Sequence, residues 1–214
     1  MSQKRRIVIL ISGRGSNMAA LIEAARDPAF PVEIAAVISN RPDAGGLERA
    51  QAAGLLAEVV DHKAYAGREA FDAALEARLL AHGAELVVLA GFLRLMTSAF
   101  VERWAGKMIN IHPALLPAFP GLHTHERALA TGVRLHGCTV HYVTPGMDEG
   151  PIIGQAAVPV LPGDTADVLG ARVLQAEHRL YPAMLARVAR GQAPIVEGLV
   201  PVAAGDLLPP TLPS

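Results

Sequence analysis

Ile7-Val-Ile-Leu-Ile11, the turn Ser12-Gly-Arg-Gly-Ser-Asn17 and the helical stretch Met18–Arg26 follow one another without a break. Five consecutive apolar residues with no polar alternation describe a strand covered on both faces, as inside a parallel sheet. A glycine turn that runs straight into a helix makes this the start of a βα unit. The alternation then recurs along the chain. Val32–Ser39 reads as a second strand, Leu47–Ala53 as a helix stopped by Gly54, and Ala57–Asp61 as a third strand. Arg68–His82 is amphipathic, with Phe71, Leu75, Leu79 and Leu80 on its apolar face and Gly83 as its left-handed cap. Glu85–Phe92 is a further apolar strand, Ser98–Trp104 a short helix and Lys107–His112 strand-like. Beyond the Pro-rich loop Pro113–Gly121 come a short helix near His125–Thr131 and strands at Cys138–Thr144 and Ile152–Val160. A long helix, Thr165–Arg190, starts from Asp164 or Thr165 as its cap. The expected fold class is α/β, with a mostly parallel twisted sheet and helices on both faces. No repeat or low-complexity linker breaks the pattern, so one domain is expected over residues 1–214. The tail Gln192–Ser214, with five prolines, reads as an irregular or hairpin appendix.

Composition narrows the function classes. No apolar run approaches the roughly 18 residues that cross a bilayer, and Ile7–Ile11 is too short for the apolar part of a secretory leader. Membrane insertion is not expected, and the expected location is cytoplasmic. The lone Cys138 excludes an internal disulfide and a Cys-rich zinc site. With 19 basic and 20 acidic residues dispersed through the chain, no basic stripe exists to neutralise a phosphate backbone, so nucleic acid is not an expected partner. A small anion remains open, because a few backbone N–H groups bind one without altering net charge.

Ser12–Asn17 is where such an anion fits. A glycine turn between a buried strand and a helix start aims free N–H groups and the helix dipole at one point. The loop lacks the Gly-Lys-Ser/Thr of a nucleotide triphosphate site. It is also a poor dinucleotide fingerprint, since Met18 stands at the third glycine position and the second strand ends in Ser39-Asn40 rather than an acidic residue. A single phosphate is the better reading. The alternative is a plain tight turn capped by Ser16 or Asn17. Gly-rich Asp43–Gly46 reads only as a turn before a helix.

The second constellation is Asn110-Ile-His112 with Asp148. Residues two apart on a strand share a face, and two polar side chains at a strand's carboxyl end are costly unless they meet a ligand or each other. An Asn can donate to an oxyanion and a His can donate a proton near neutral pH. Asp148, in the turn Pro145-Gly-Met-Asp-Glu-Gly150, could orient and charge the imidazole. On the residues alone, a satisfied core histidine beside a solvated turn aspartate stands equally. His123-Thr-His125 lacks a third ligand at metal spacing and reads as pocket-shaping, so no metal is expected. His62, His82 and His136 read as surface or packing residues and His178 as part of the last helix. Cys138 has no local base for nucleophilic work.

Taken together, five segments carry a resemblance. Ile11-Ser-Gly-Arg-Gly-Ser-Asn17, Leu89-Ala-Gly-Phe-Leu-Arg94, Asn110-Ile-His-Pro-Ala-Leu-Leu-Pro117, Pro120-Gly-Leu-His-Thr-His125 and Asp148-Glu-Gly-Pro-Ile152 are similar to the signature segments of the folate-dependent formyltransferases. From Ile7 to Arg190 the chain resembles the glycinamide ribonucleotide (phosphoribosylglycinamide) branch of that family. The resemblance implies a Rossmann-like formyltransferase domain. It implies transfer of a formyl group from 10-formyltetrahydrofolate, a cosubstrate, to the amine of glycinamide ribonucleotide in purine biosynthesis, by a monomer or homodimer and without a metal. Asn110, His112 and Asp148 would then be catalytic. Gly15, Ser16 and Asn17 would hold the ribonucleotide phosphate, helped by Leu174, Gln175, Ala176 and Glu177. Arg68, Leu93, Arg94, Leu95, Met96, Asn110, Thr144, Pro145, Gly146, Met147 and Asp148 would receive the folate, the apolar ones offering a flat pterin a packing surface. Ala114 departs from the family's usual Ser, Glu149 from a common Gly, and Pro145-Gly146 is unusual in the folate loop. A folate hydrolase or a formyltransferase for another amine is the competing enzyme reading, and those relatives usually carry an extra domain. A nucleotide-binding regulatory module would need the phosphate loop but not the Asn110, His112 and Asp148 set.

Overall fold

The computed structural model describes residues 4–202. Its strands are β1 (Arg5–Ile11), β2 (Val32–Ser39), β3 (Ala57–Val59), β4 (Leu86–Leu89), β5 (Met108–His112), β6 (Leu135–Tyr142) and β7 (Ile152–Pro159). Its helices are α1 (Ser16–Ala25), α2 (Gly46–Ala52), α3 (Arg68–Ala81), α4 (Ser98–Arg103), α5 (Thr124–Thr131) and α6 (Ala166–Ala189). The strands form a mostly parallel sheet in the order β3-β2-β1-β4-β5-β6-β7. The pairs β1–β2, β1–β4, β2–β3 and β4–β5 are parallel, and β6–β7 is antiparallel. The described residues fall into two compact units that divide after Asn110.

In the first unit, β1 is the organising strand. Ile7, Val8, Ile9, Leu10 and Ile11 are all 0% exposed, and since successive side chains point to opposite faces, both faces are covered. From β1 the chain passes through α1 to β2 on one side. It later returns through α3 to β4 on the other, so the strand order reverses between β1 and β4. Loops that leave such a reversal at the carboxyl ends of the strands diverge and open a crevice. Ser12–Gly15 follows β1, and the segment 90–97 follows β4.

Several boundaries differ from the sequence expectation for identifiable reasons. The fourth strand ends at Leu89, short of Phe92, because Gly91 takes φ +77° and turns the chain away. Leu80 is 64% exposed, whereas Phe71, Leu75 and Leu79 are fully buried, so the apolar face of α3 is narrower than expected and Leu80 lies off it. The third strand stops at Val59, and His62–Ala64 forms a short 3₁₀ turn capped by Asp61.

In the second unit, β6 begins at Leu135, three residues before the expected start. Gly137 lies inside this strand, where its lack of a side chain permits pairing, since a Cβ would run into the carbonyl oxygen of Ala156. The long helix α6 packs on β6 and β7. Thr165 caps it by accepting from the Val168 N–H, while Asp164 pairs with Arg172 at 2.6 Å. Of the Pro-rich tail, residues 192–202 carry a small bridge between Val196 and Leu199, and Tyr142 donates to the Ala193 carbonyl at 2.7 Å. The remainder of the tail lies outside the described residues.

Inside the second unit His136 is 1% exposed, with its Nε2 3.1 Å from Nδ1 of His125. Burial, reinforced by the charges His125 and His112 can carry, pushes its pKa down to about 4.

Two outcomes test this packing. Leu75→Ala should cost about 2–5 kcal/mol by urea denaturation, while Leu80→Ala should change stability by less than about 0.5 kcal/mol; equal losses would contradict the facing of α3. His136 takes up its proton more readily when unfolded than when folded. Its contribution is therefore constant above the ordinary histidine range, and stability falls as pH drops from there toward about 4. His136→Gln should flatten that acid-side decline in the urea midpoint.

Candidate active site

The loop after β1 runs directly into α1. Gly15 takes φ +69° and is the N-cap residue of that helix, with no side-chain cap hydrogen bond. A helix start reached through a glycine in this conformation is the arrangement that favours an anion. The loop is closely seated. A Cβ at Gly15 would lie 2.9 Å from the Met18 Cε and 3.0 Å from the Gly46 Cα. Gly46 in turn donates its N–H to the Gly13 carbonyl at 3.0 Å, and a Cβ there would be 3.1 Å from that same oxygen. Gly46 is thus more than the turn residue read from sequence; it is the floor on which the loop rests. Arg14 is exposed at the loop's outer side.

The segment after β4 lies in the same unit. Leu93 and Leu95 are 73% and 59% exposed, an unusual position for two leucines. Their backbone is nonetheless held. The Leu93 N–H donates to the Ser12 Oγ at 2.8 Å, and Thr97 donates its N–H and its hydroxyl to the Asp72 Oδ2, both at 2.7 Å. Between these anchors the Arg94 guanidinium sits 4.7 Å over the Phe71 ring. Arg68 opens α3, the helix that carries Phe71 and Asp72, and is exposed. The first unit therefore brings Leu93–Met96 beside the helix that Arg68 begins.

The second unit brings His112 and Asp148 together. His112, the last residue of β5, is 5% exposed. Its Nε2 donates to the Phe119 carbonyl at 2.9 Å, which leaves Nδ1 3.4 Å from the Asp148 Oδ2. An imidazole donates from both nitrogens only as the cation. The 3.4 Å separation from Asp148 is longer than a tight charge-assisted bond. Asp148 sits at φ +57°, a left-handed conformation that Asp tolerates better than most residues. It is fixed by the Gly121 N–H, which donates to Oδ2 at 2.8 Å. Asn110 precedes His112 by two residues on β5, in the same-face alternation.

A third group at this carboxylate escaped the sequence reading. His141, on β6, lies with Nε2 3.7 Å from the Asp148 Oδ1 and donates from Nδ1 to the Tyr142 carbonyl at 2.9 Å. Burial lowers its pKa, with Asp148 opposing. No local signal marks His141, since it is one residue in an alternating strand.

The remaining candidates separate cleanly. Thr144–Met147 forms the exposed turn after β6 that delivers Asp148, with Met147 52% exposed and the Glu149 side chain folded over Gly146. His123 lies at the surface before α5, 3.5 Å from Glu126, while His125 turns inward to His136. On α6, Ala176 and Glu177 are buried whereas Gln175 is exposed. Burial pushes the Cys138 thiol far up, which suits packing and not nucleophilic chemistry. His82 pairs with Glu58 at the surface, and His62 donates from Nδ1 to the Asn40 carbonyl at 2.7 Å.

The chain is similar to known proteins along most of its length. Phosphoribosylglycinamide formyltransferase of Escherichia coli (strain K12) is 45% identical over 204 residues, covering 95% of this chain and 96% of that protein. The trifunctional purine biosynthetic protein adenosine-3 of Homo sapiens is 47% identical over 195 residues; the match covers 91% of this chain but spans 19% of that protein's length. Among solved structures, glycinamide ribonucleotide transformylase 1 from Symbiobacterium toebii superposes with a TM-score of 0.91 at 50% identity, covering 94% of each chain. Residues 5–185 match the family described as Formyl transferase, and the chain belongs to that family.

Proposed function

We propose that this chain transfers the formyl group of 10-formyltetrahydrofolate to the amine of 5'-phosphoribosylglycinamide, releasing 5'-phosphoribosyl-N-formylglycinamide and tetrahydrofolate. The observation that carries the reading is the His112–Asp148 pair, in which a backbone carbonyl pins one imidazole nitrogen and a carboxylate faces the other. The reaction for which the similar proteins are named supports the choice of substrate.

In this reading Gly15, Ser16 and Asn17 take the ribonucleotide phosphate, with Leu174–Glu177 contributing from α6. Arg68, Leu93–Met96, Asn110 and Thr144–Asp148 receive the folate. The neutral amine attacks the formyl carbon, and charge builds on the formyl oxygen. Asn110 and the Nδ1–H of His112 donate to that oxygen, a contribution whose removal typically costs about 10²–10³ in rate per donor. Asp148 stabilises the imidazolium and relays the proton lost by the amine, directly or through water. As the tetrahedral centre collapses, the bond to the folate nitrogen breaks and that nitrogen takes the proton. The cosubstrate carries the one-carbon unit, and the residues assigned here include no metal ligand set. Among the described residues no helix is long and apolar enough to cross a membrane, and we place the reaction in the cytoplasm.

The direct test is an assay of the purified chain with 10-formyltetrahydrofolate, with and without 5'-phosphoribosylglycinamide. Formyl transfer should exceed deformylation, and equal folate turnover in both arms would instead mark a hydrolase. Asp148→Asn keeps the shape and removes the charge, so kcat should fall by about 10²–10⁴; near-normal turnover would reduce Asp148 to a turn residue. Gly46→Ala should push the Gly13–Gly15 loop and weaken the ribonucleotide more than the folate in calorimetry. The opposite ranking would contradict the phosphate assignment.

A further inference from the structure

Ser12 lies at the point where three strand ends meet, and its hydroxyl is fully used there. It is 3% exposed. Its backbone N–H donates to the Gly91 carbonyl at 3.0 Å. Its Oγ accepts the Leu93 N–H at 2.8 Å and donates to the Asn40 Oδ1 at 2.6 Å. Asn40 is itself 4% exposed and is held from behind, its carbonyl accepting from the Nδ1–H of His62 at 2.7 Å. The residue after Ser12 is Gly13, whose carbonyl receives the Gly46 N–H. The single hydroxyl thus joins the end of β1, the end of β2 and the segment that follows β4.

The sequence singled out Ser39-Asn40 only for lacking an acidic residue. The structure gives Asn40 a different occupation, as the acceptor that orients the Ser12 hydroxyl so that its lone pair faces Leu93. That matters because the 93–97 segment leaves Leu93 and Leu95 in solvent and cannot be set by burial of those side chains. Polar anchors at its two ends, Ser12 and Asp72, set it instead. Displacing Ser12 displaces Gly13 in one direction and Leu93 in the other.

We propose that Ser12 is a positioning residue that couples the two substrate segments, so that occupation of the Gly13–Asn17 loop by phosphate tightens folate on Leu93–Met96. This rests on the substrate assignment proposed above. The coupling arises because an anion that immobilises the loop also removes freedom from Leu93, and folate then loses less order-related free energy on binding. Ser12 touches no reacting atom in this scheme, so its effect belongs to binding and not to kcat.

The test is calorimetric titration of the full chain with tetrahydrofolate, with and without saturating 5'-phosphoribosylglycinamide. The wild type should bind folate more tightly when the ribonucleotide is present. Ser12→Ala leaves the Leu93 N–H and the Asn40 Oδ1 without this partner. Its folate affinity should fall by a factor of about 5–30, and the enhancement by ribonucleotide should vanish. Ser12→Thr, which keeps the hydroxyl, should retain the enhancement. Asn40→Leu should lose it, and the Ser12→Ala, Asn40→Leu double variant should lose no more than either alone. A folded Ser12→Ala variant with wild-type folate affinity and undiminished enhancement overturns the relay alone. A wild-type chain that binds neither ligand overturns the substrate assignment and the relay with it. Should Ser12→Ala fail to fold, hydrogen exchange in the wild type decides the matter: the ribonucleotide should slow the Leu93 amide, and an unchanged rate overturns the coupling.

Discussion

Everything in the first unit depends on the double-sided burial of β1. Five successive residues without exposure need a neighbour strand on each edge and cover on each face. Once β2 and β4 flank β1 in parallel, the chain must leave β1 and β4 in divergent directions. The crevice that results is a product of topology before any polar residue is considered. The polar residues then exploit it. Ser12, Gly13 and Gly15 sit on one lip, Gly91 and Leu93 on the other, joined by the Ser12 N–H on the Gly91 carbonyl and by the Leu93 N–H on the Ser12 Oγ.

The second unit solves a different problem, which is how to keep an ionisable ring oriented inside a nearly water-free setting. His112 retains 5% exposure. The Phe119 carbonyl accepts from its Nε2, and the Asp148 carboxylate faces its Nδ1. Both supporting residues adopt positive φ, 56° at Phe119 and 57° at Asp148, although neither is glycine. Backbone strain of about 1–3 kcal/mol at such a position persists only where surrounding contacts over-determine it. Here the Gly121 N–H on Asp148, and the Phe119 ring between the Arg127 guanidinium at 5.6 Å and the His136 ring at 5.9 Å, supply those contacts.

Most of the frame was readable from the chain because it obeys local rules. Uninterrupted apolar runs gave β1 and β2, periodicity gave α3, and Thr165 marked the start of α6. Asn110 and His112 could be paired because strand geometry relates residues two apart. The readings that failed depend on tertiary proximity. Leu80 satisfies the helical period but lies just outside the arc that packing covers. The early start of β6 runs through Gly137, where β7 approaches too closely for a side chain. Gly46 meets Gly13, the Ser12 hydroxyl meets Asn40 and Leu93, and His141 meets Asp148 across a turn, and composition carries no trace of such meetings. The same holds for the 3.4 Å between His112 and Asp148, whose two residues could be nominated but not joined before the fold was known.

The sheet's outermost strand in the first unit, β3, is only three residues long. An open strand edge is a template for pairing with another chain, and proteins guard against it with short edges and well-placed charge. Leu56 and Val59, which flank this edge, are 49% and 43% exposed and would otherwise invite such pairing. Between them stands Glu58, tied to Arg78 by two hydrogen bonds and lying 3.1 Å from the His82 Nε2. Arg78 and His82 come from α3 and its end, so the charge is locked in place at the edge and cannot swing aside. A chain rich in buried aliphatic strands is thereby kept from self-templated aggregation along its open edge by one anchored carboxylate.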